Sequence, residues 1–530
     1  MTKTEQRDTV HPFAGLDIPT LIEMRARQRA DHPMLIWSPF EGPAEIWSYD
    51  RFCNSVARFA AGLHARGIRE GDRVLVHLEN SPETLIARFA ITWLGGVAVL
   101  SNAKLAGPEL AQIAPPLGVR WAITQPKLAR AVEKNCPGLE LLVTTATDSG
   151  SVADRSSIPA AAERFEALFL DPMPRRAPDP EAPAMILFTT GSTGRPKAVL
   201  WTHANVLWAG KTGALQQGLR AHDVYQVHLP LFHVVGFTWS MVPAFYAGAT
   251  ILLQPRFSTS RFWPTATTYG ATVSSHAGTD RLLRDQPVPD HQFRQWLFAS
   301  HDPVRDAHFR VKGVAGWGMT EMVIPAIASD ASLDQRSRSI GRPWPGYEVR
   351  IEREDGTPAR PGETGHLLIG ARRGLSMFRE YVGNPSAMAE AFDEEGYFRT
   401  GDLVMLSDDG WITFSDRAKD MIKVGGEGVS ASEIEAAILS AGGVHEVAVV
   451  SRPDPIYGEV PVAYVVFSID SASQAGTTDR IMQHCRTTIA KFKVPREIVS
   501  MAELPKIGNN KINRVALRTM ASAISREIMP

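Results

Sequence analysis

Residues 189–197, Thr189-Thr190-Gly191-Ser192-Thr193-Gly194-Arg195-Pro196-Lys197, constrain this chain more than any other stretch. They directly follow an apolar run, Ala184-Met185-Ile186-Leu187-Phe188. Glycines let a backbone turn tightly, so that its N–H groups can converge on an anion, while hydroxyls and cations add donors and charge. The composition asks for a phosphate-rich ligand. It is not the common nucleotide P-loop, because Pro196 stands where that motif needs glycine before its lysine. Taken alone, the run also reads as a Ser/Gly-rich surface loop.

The bulk properties narrow the classes open to such a loop. With 530 residues, 44% hydrophobic and 21% charged, the chain has length for more than one domain and an ample core. Its 56 Lys and Arg balance 57 Asp and Glu to a net charge of −1, so no basic field exists to hold nucleic acid or an anionic membrane. Three cysteines, Cys53, Cys136 and Cys485, form neither a local metal pattern nor a disulfide framework, and a reducing cytoplasm is the expected compartment. The longest apolar stretch, residues 89–100, is too short to span a bilayer and reads as a buried helix running into a strand. No transmembrane segment and no apolar signal core are expected.

Along the chain the periodicity alternates. Phe52, Val56, Phe59 and Leu63 repeat as a helical face, with Ser48 available as cap and Gly67 just past the end. Strand patterns follow at residues 74–78, around Val199, and at 224–229 and 250–253. Helices between strands predict an α/β architecture with parallel-type sheets. Residues 146–184, rich in Ser, Asp, Pro and Ala, read as an exposed connector. From about residue 340 to 415 short strands broken by turns predict an appended β-barrel-like subdomain or sheet. After Asp416 another unit begins, in which Ser432-Glu433-Ile434-Glu435 is a capping-box sequence, followed by strands at 447–450 and 460–467.

Four further segments lie downstream of the phosphate loop: Gly316-Trp317-Gly318-Met319-Thr320-Glu321, Tyr397-Phe398-Arg399-Thr400-Gly401-Asp402-Leu403, Asp416-Arg417-Ala418-Lys419-Asp420, and Lys506-Ile507-Gly508-Asn509-Asn510-Lys511-Ile512-Asn513-Arg514. In this order and at these separations the five resemble the adenylate-forming superfamily of acyl-CoA synthetases, peptide-synthetase adenylation domains and luciferases. The resemblance runs from about Leu21 to Leu517. It implies a large N-terminal domain, residues 1–417, and a small mobile α+β C-terminal lid, residues 418–530, hinged at Lys419.

The resemblance also implies roles. Residues Thr189 to Gly194 (Thr189, Thr190, Gly191, Ser192, Thr193, Gly194) would hold the ATP phosphates, with Lys197 as a supporting cation. Glu321 would contact Mg2+, since hard carboxylate oxygen suits that ion, and Thr320 would bond the α-phosphate. Trp317, beside Gly318, would stack on adenine; Asp402 would accept the ribose hydroxyls; Arg417 would contact ribose or phosphate. Lys511 would be catalytic, reaching between carboxylate and α-phosphate. Pro230-Leu231-Phe232-His233-Val234-Val235-Gly236 matches part of the superfamily's acyl pocket, which His233, Val235, Gly236, Phe237, Trp239 and Gly316 would shape. His233 has two readings, a gate or a packed core histidine. Gly425 and Gly426 would face the pantetheine tunnel after a domain rotation.

Three positions depart from the usual pattern. The Gly-rich segment before the tryptophan motif is Ala299-Ser300-His301-Asp302-Pro303; Asn510 replaces the glycine before Lys511; and Gly428 replaces a polar or cationic residue. The expected reaction converts a small-molecule carboxylic acid and ATP to acyl-AMP and pyrophosphate, then transfers the acyl group to CoA with release of AMP. Lys491-Phe492-Lys493-Val494-Pro495 resembles the approach sequence of free-standing CoA ligases, and the texture is nearest to bacterial medium-chain, carnitine-type and cyclic-acid ligases. Loading of a separate carrier protein, a luciferase-type oxygenase and a degenerate nucleotide-binding module are the alternatives.

Overall fold

A computed structural model describes residues 10–154, 156, 158–189, 196–353, 355–417, 421–468, 474–507 and 511–527. Two sheets organise the first three-quarters of the chain. In the eight-stranded sheet the order runs Glu380–Tyr381, Lys197–Thr202, Pro183–Thr189, Val97–Leu100, Arg73–His77, Trp121–Thr124, Leu141–Thr144, Glu163–Arg164. Pro183–Thr189 and the strands beyond it are parallel, while Lys197–Thr202 and Glu380–Tyr381 close that end antiparallel. The thirteen-stranded sheet is parallel from Pro33–Trp37 through Thr250–Leu253, Val224–Val227, Val273–Ser275 and Gln295–Phe298 to Lys312–Trp317. These strands are covered on both faces, which is why Gln295–Phe298 is buried at all four positions.

The helices that cover them form where their ends are satisfied. Tyr49–Ala65 starts at Ser48, whose hydroxyl accepts the Arg51 N–H at 3.1 Å, and buries Phe52, Val56, Phe59 and Leu63. Pro82–Trp93 starts at Ser81 with proline in its first turn and leads into Val97–Leu100. Residues 146–184 are less exposed than their composition suggests. Phe165 and Leu168 are buried, and the Phe165 ring stacks on Phe59 with centroids 4.1 Å apart. Phe169 packs on the same Phe59 ring, and the Trp93 indole donates to the Met173 carbonyl at 3.2 Å, so several contacts tie this polar stretch to the core.

The strands of residues 340–415 extend the thirteen-stranded sheet as an antiparallel run in open order, with Glu348–Glu352 at the edge. A five-stranded sheet follows, packed with helices Ala431–Ser440, Gln474–Thr488 and Arg514–Glu527. Its apolar clusters, around Val449 and Tyr464, draw only on residues 422 and later. The helix opens two residues earlier than the capping-box pattern predicts: Ser430 is the N-cap, so Ser432 lies inside the helix. Glu433 and Glu435 are not free to cap, because they pair with Lys493 and Arg514. Among the described residues, no helix is long and apolar enough to cross a membrane.

Candidate active site

The two sheets meet at the short turn Thr320–Met322, just past the strand Lys312–Trp317. Glu321 is buried there, its Oε1 accepting the Tyr381 hydroxyl at 2.7 Å and its carbonyl accepting the Phe378 N–H at 2.8 Å. The Trp201 indole N–H donates to the Thr320 carbonyl at 3.0 Å. Tyr381 and Trp201 come from the eight-stranded sheet, Thr320 and Glu321 from the turn that follows strand Lys312–Trp317 of the other. Lys197 places its ammonium 4.6 Å from the Tyr381 ring centroid, so one tyrosine joins a cation on its face to a carboxylate on its edge. Burial, and then the Glu321 charge and hydrogen bond, push the Tyr381 phenol well above its ordinary value. The hydroxyl therefore stays a donor.

Backbone strain marks the same turn. Val323 has φ +57°, a conformation that a β-branched residue rarely adopts. The buried Thr238 hydroxyl donates to the Val323 carbonyl, and the Ile324 N–H donates to the Met322 carbonyl at 2.6 Å. Such outliers cost about 1–3 kcal/mol and persist where surrounding contacts over-determine them.

Asp402 lies on Phe398–Leu406, 2% exposed, and its Oδ2 accepts the Trp317 indole N–H at 3.0 Å. Its register partner across the sheet is Arg417. Trp317, Thr320, Glu321 and Asp402 thus share one corner. Thr189 pairs with Lys197 at the foot of the loop between them; Thr190, Gly191, Ser192, Thr193 and Gly194 lie outside the described residues, as does Lys419. Lys511 is described as backbone only, in the strand Lys511–Ile512.

The acyl segment adjoins this corner. Residues Phe237–Met241 form a π-helical turn, with the Trp239 N–H reaching the Val234 carbonyl at 2.9 Å, a device frequent at functional sites. A Cβ on Gly318 would sit 3.0 Å from the Trp239 ring, and one on Gly316 3.0 Å from Pro325. His233 is partly buried; burial lowers its pKa, against an upward pull from Glu427 and with a downward push from Lys423. Val235 and His233 are tied by a 3.4 Å bond from the Val235 N–H to His233 Nδ1. Phe237 is fully buried over the Arg88 guanidinium, 4.0 Å from its centroid, and Arg88 also donates to the Leu231 carbonyl at 2.8 Å. Sequence reasoning did not single out Arg88, Tyr381, Trp201 or Thr238, none of which stands in a recognisable motif.

At Gly236 a Cβ would lie 2.3 Å from the Pro230 carbonyl oxygen and 2.6 Å from that of Leu229. Both are backbone atoms that cannot swing aside. Gly236→Ala is expected to destabilise the protein by about 1–3 kcal/mol, as overpacking does. Urea unfolding checks this; an unchanged midpoint would mean that the segment shifts freely.

The altered segment 299–303 has a structural use. Asp302 accepts the N–H groups of Val304 and Arg305 at 3.0 and 3.4 Å, capping the helix Pro303–Phe309, and the Arg305 guanidinium stacks on Phe298. Gly425 and Gly426, with φ +59° and +87°, form the two-residue turn between Met421–Val424 and Glu427–Ser430. That turn lies against the N-terminal region: a Cβ on Gly426 would stand 3.0 Å from the Ala277 carbonyl oxygen.

Comparison with known proteins decides the family. A profile of the AMP-binding enzymes matches residues 22–382, and that of the AMP-binding enzyme C-terminal domain matches residues 433–511. The chain belongs to the AMP-binding enzyme family. This AMP-binding enzyme is 31% identical over 500 residues to a crotonobetaine/carnitine–CoA ligase of Proteus mirabilis, covering 90% of this chain and 94% of the relative. Two structures of the Bacillus subtilis o-succinylbenzoate CoA synthetase MenE share its fold. A double mutant bound with the product analogue OSB-NCoA gives a TM-score of 0.81 at 24% identity, covering 94% of this chain and 98% of that one. The complex with the acyl-adenylate intermediate OSB-AMP gives 0.66 at 25% identity, covering 94% and 97%.

Mg2+ fits the donors of the enzyme's corner. Among the described residues no group of three or more His, Cys, Asp or Glu could hold a metal by itself. One buried carboxylate, Glu321, beside hydroxyls is the donor set expected where phosphates supply most ligands.

Proposed function

We propose that this AMP-binding enzyme is an acid–thiol ligase that joins a carboxylic acid to CoA at the expense of ATP. The observation that carries the reading is the corner where Trp317, Thr320, Glu321 and Asp402 converge beside Lys197. A carboxylate oxygen attacks the α-phosphorus of ATP, the bond to the bridging oxygen breaks, and pyrophosphate leaves. The CoA thiolate then attacks the acyl carbonyl and AMP leaves. Both partners of the first step are anions, so preorganised cations and donors must meet the charge that develops.

Each residue then takes a part. Residues 189–194 and Lys197 hold the β- and γ-phosphates, and Thr320 bonds the α-phosphate. Asp402 accepts the ribose hydroxyls with one oxygen already fixed on Trp317, and the indole packs on adenine. Arg417 reaches ribose or phosphate from the adjoining strand. Lys511 bridges carboxylate and α-phosphate in the first step. Glu321 would hold Mg2+, which when bound neutralises phosphate charge. His233, Val235, Gly236, Phe237, Trp239 and Gly316 shape the acyl pocket, and Gly425 and Gly426 line the entry of the pantetheine arm. We place the domain boundary at residue 417 and the hinge at Lys419.

The acid we propose is a small one of the crotonobetaine or carnitine type, on the strength of the 31% identical relative. A cytoplasmic setting is supported by three free cysteines; burial pushes the Cys53 thiol up to about 12 and those of Cys136 and Cys485 up to about 11.

The test is carboxylate-dependent ATP–pyrophosphate exchange over crotonobetaine, carnitine and a panel of aliphatic, aryl and cyclic acids, repeated with CoA. Exchange followed by thioester is the expected result. Exchange without thioester, but with transfer to a phosphopantetheinyl protein, would replace CoA by a carrier. Oxygen uptake or light would indicate the oxygenase reading, and ATP binding without exchange a binding module.

A further inference from the structure

We propose that Lys493 is a positioning residue for thioester formation, clasping Glu109 of the N-terminal region to Glu433 of the C-terminal region. The proposal rests on the second half-reaction assigned above, in which the Gly425-Gly426 turn, here packed against Ala277, lines the entry of the pantetheine arm. Lys493 ends the short turn Lys491–Lys493 with its side chain 5% exposed. Its ammonium lies 2.6 Å from Glu109 Oε1 and 2.6 Å from Glu433 Oε1. Glu109, on Gly107–Ile113, uses its other oxygen to accept the Ala106 N–H at 2.8 Å, so the acceptor is rigidly held.

Neighbouring contacts join the same two parts. Lys104 Nζ is 3.8 Å from Glu427 Oε1 and 5.8 Å from the Phe492 ring centroid. Glu427 follows the glycine turn that lies against Ala277, and its charge reaches His233. Residues 104–109 and 277 thus grip residues 426–433 and 492–493 in one orientation of the C-terminal region.

Of the two bonds at Lys493, the one to Glu433 lies within the C-terminal region and survives undocking. Only the bond to Glu109 depends on the docked orientation. An exposed ion pair would discriminate weakly between orientations. A buried ammonium that loses a partner is penalised strongly, so any docking that misplaces Glu109 is disfavoured, whereas full separation returns both groups to water. The clasp therefore selects one docked geometry while remaining releasable. Two carboxylates share one ammonium: burial opposes the Lys493 charge, but Glu433 and Glu109 outweigh it and hold the ammonium above its ordinary value. The seam is held by this clasp as well as by apolar packing.

Glu109→Gln tests this in the full-length enzyme, because it keeps an acceptor for the Ala106 N–H and leaves the Lys493–Glu433 pair intact. Lys493→Met is the second variant. Spin labels at Val152→Cys and Leu439→Cys, exposed positions on the two parts, report the orientation in a Cys53→Ala background. The docked distance is expected to lose more than half its population in both variants. Conversion of supplied acyl-AMP to acyl-CoA should fall at least tenfold, while pyrophosphate exchange stays within twofold. An unchanged distance distribution in Glu109→Gln, or equal loss of both half-reactions, would overturn the clasp. A wild-type enzyme that exchanges with no acid would refute the proposed function, and the distance measurement would still decide the clasp.

Discussion

Lys511→Ala is expected to lose carboxylate-dependent pyrophosphate exchange by about a hundred- to a thousandfold or more, the range for removal of a preorganised charge at a reacting centre. The same variant should still convert supplied acyl-AMP to acyl-CoA at nearly the wild-type rate. The first step gathers charge between a carboxylate and a phosphate, where an ammonium is worth most; the second attacks a carbonyl whose leaving group is already a phosphate. The scaffold beneath the lysine survives the substitution. Leu504 and Ile512 pack with Tyr464 and Leu517, and Arg514 is fixed to Glu435 at 2.7 Å and to the Val449 carbonyl at 2.8 Å. Single-turnover assays of the two half-reactions separate the outcomes. Equal loss of both would withdraw the catalytic role from Lys511.

Asp402→Asn should raise the KM for ATP by about ten- to a hundredfold, which corresponds to the roughly 1.5–3 kcal/mol of a hydrogen bond to a charged group. Asp402 serves two partners in this reading, the ribose hydroxyls and the Trp317 indole. Trp317→Phe distinguishes them: it keeps an aromatic face but removes the N–H that fixes the carboxylate. A smaller rise in KM is expected there, with kcat little changed, because binding common to ground and transition states is what is lost. An Asp402→Asn enzyme with an unaltered KM for ATP would remove the ribose role.

Much of the framework was legible because local patterns and tertiary demands agree. Thr250–Leu253 and Glu348–Glu352 form at the expected positions, bounded by turn residues, and Ser48 caps its helix. Agreement fails where a side chain is recruited from afar. Ser432 lost the cap to Ser430 since the glutamates that complete the pattern have partners elsewhere. Residues 146–184 read as a connector because Phe165, Leu168 and Phe169 are outnumbered by polar neighbours, although all three pack onto the core.

The corner shows the same division. Trp317 ends one strand and Thr320 and Glu321 follow in the next turn, so the motif can be read in a line. Tyr381 and Trp201 reach that corner through strand pairing, and Arg88 lies beneath the acyl segment across a helix. No spacing rule in one sequence encodes those meetings. The 299–303 segment carries a helix cap in Asp302, so its bulk is answered by local structure.

The corner lies between sheets rather than within one. Tyr381 to Glu321 and Trp201 to Thr320 are single hydrogen bonds crossing from the eight-stranded sheet to the thirteen-stranded one, and the nucleotide would lie across the same junction. A ligand held from both sides acts as a mechanical rivet. Its free energy adds to the resistance of the whole N-terminal region against opening, growing with the logarithm of nucleotide concentration. The lifetime of this protein against proteases would then track the energy charge of the cell that contains it.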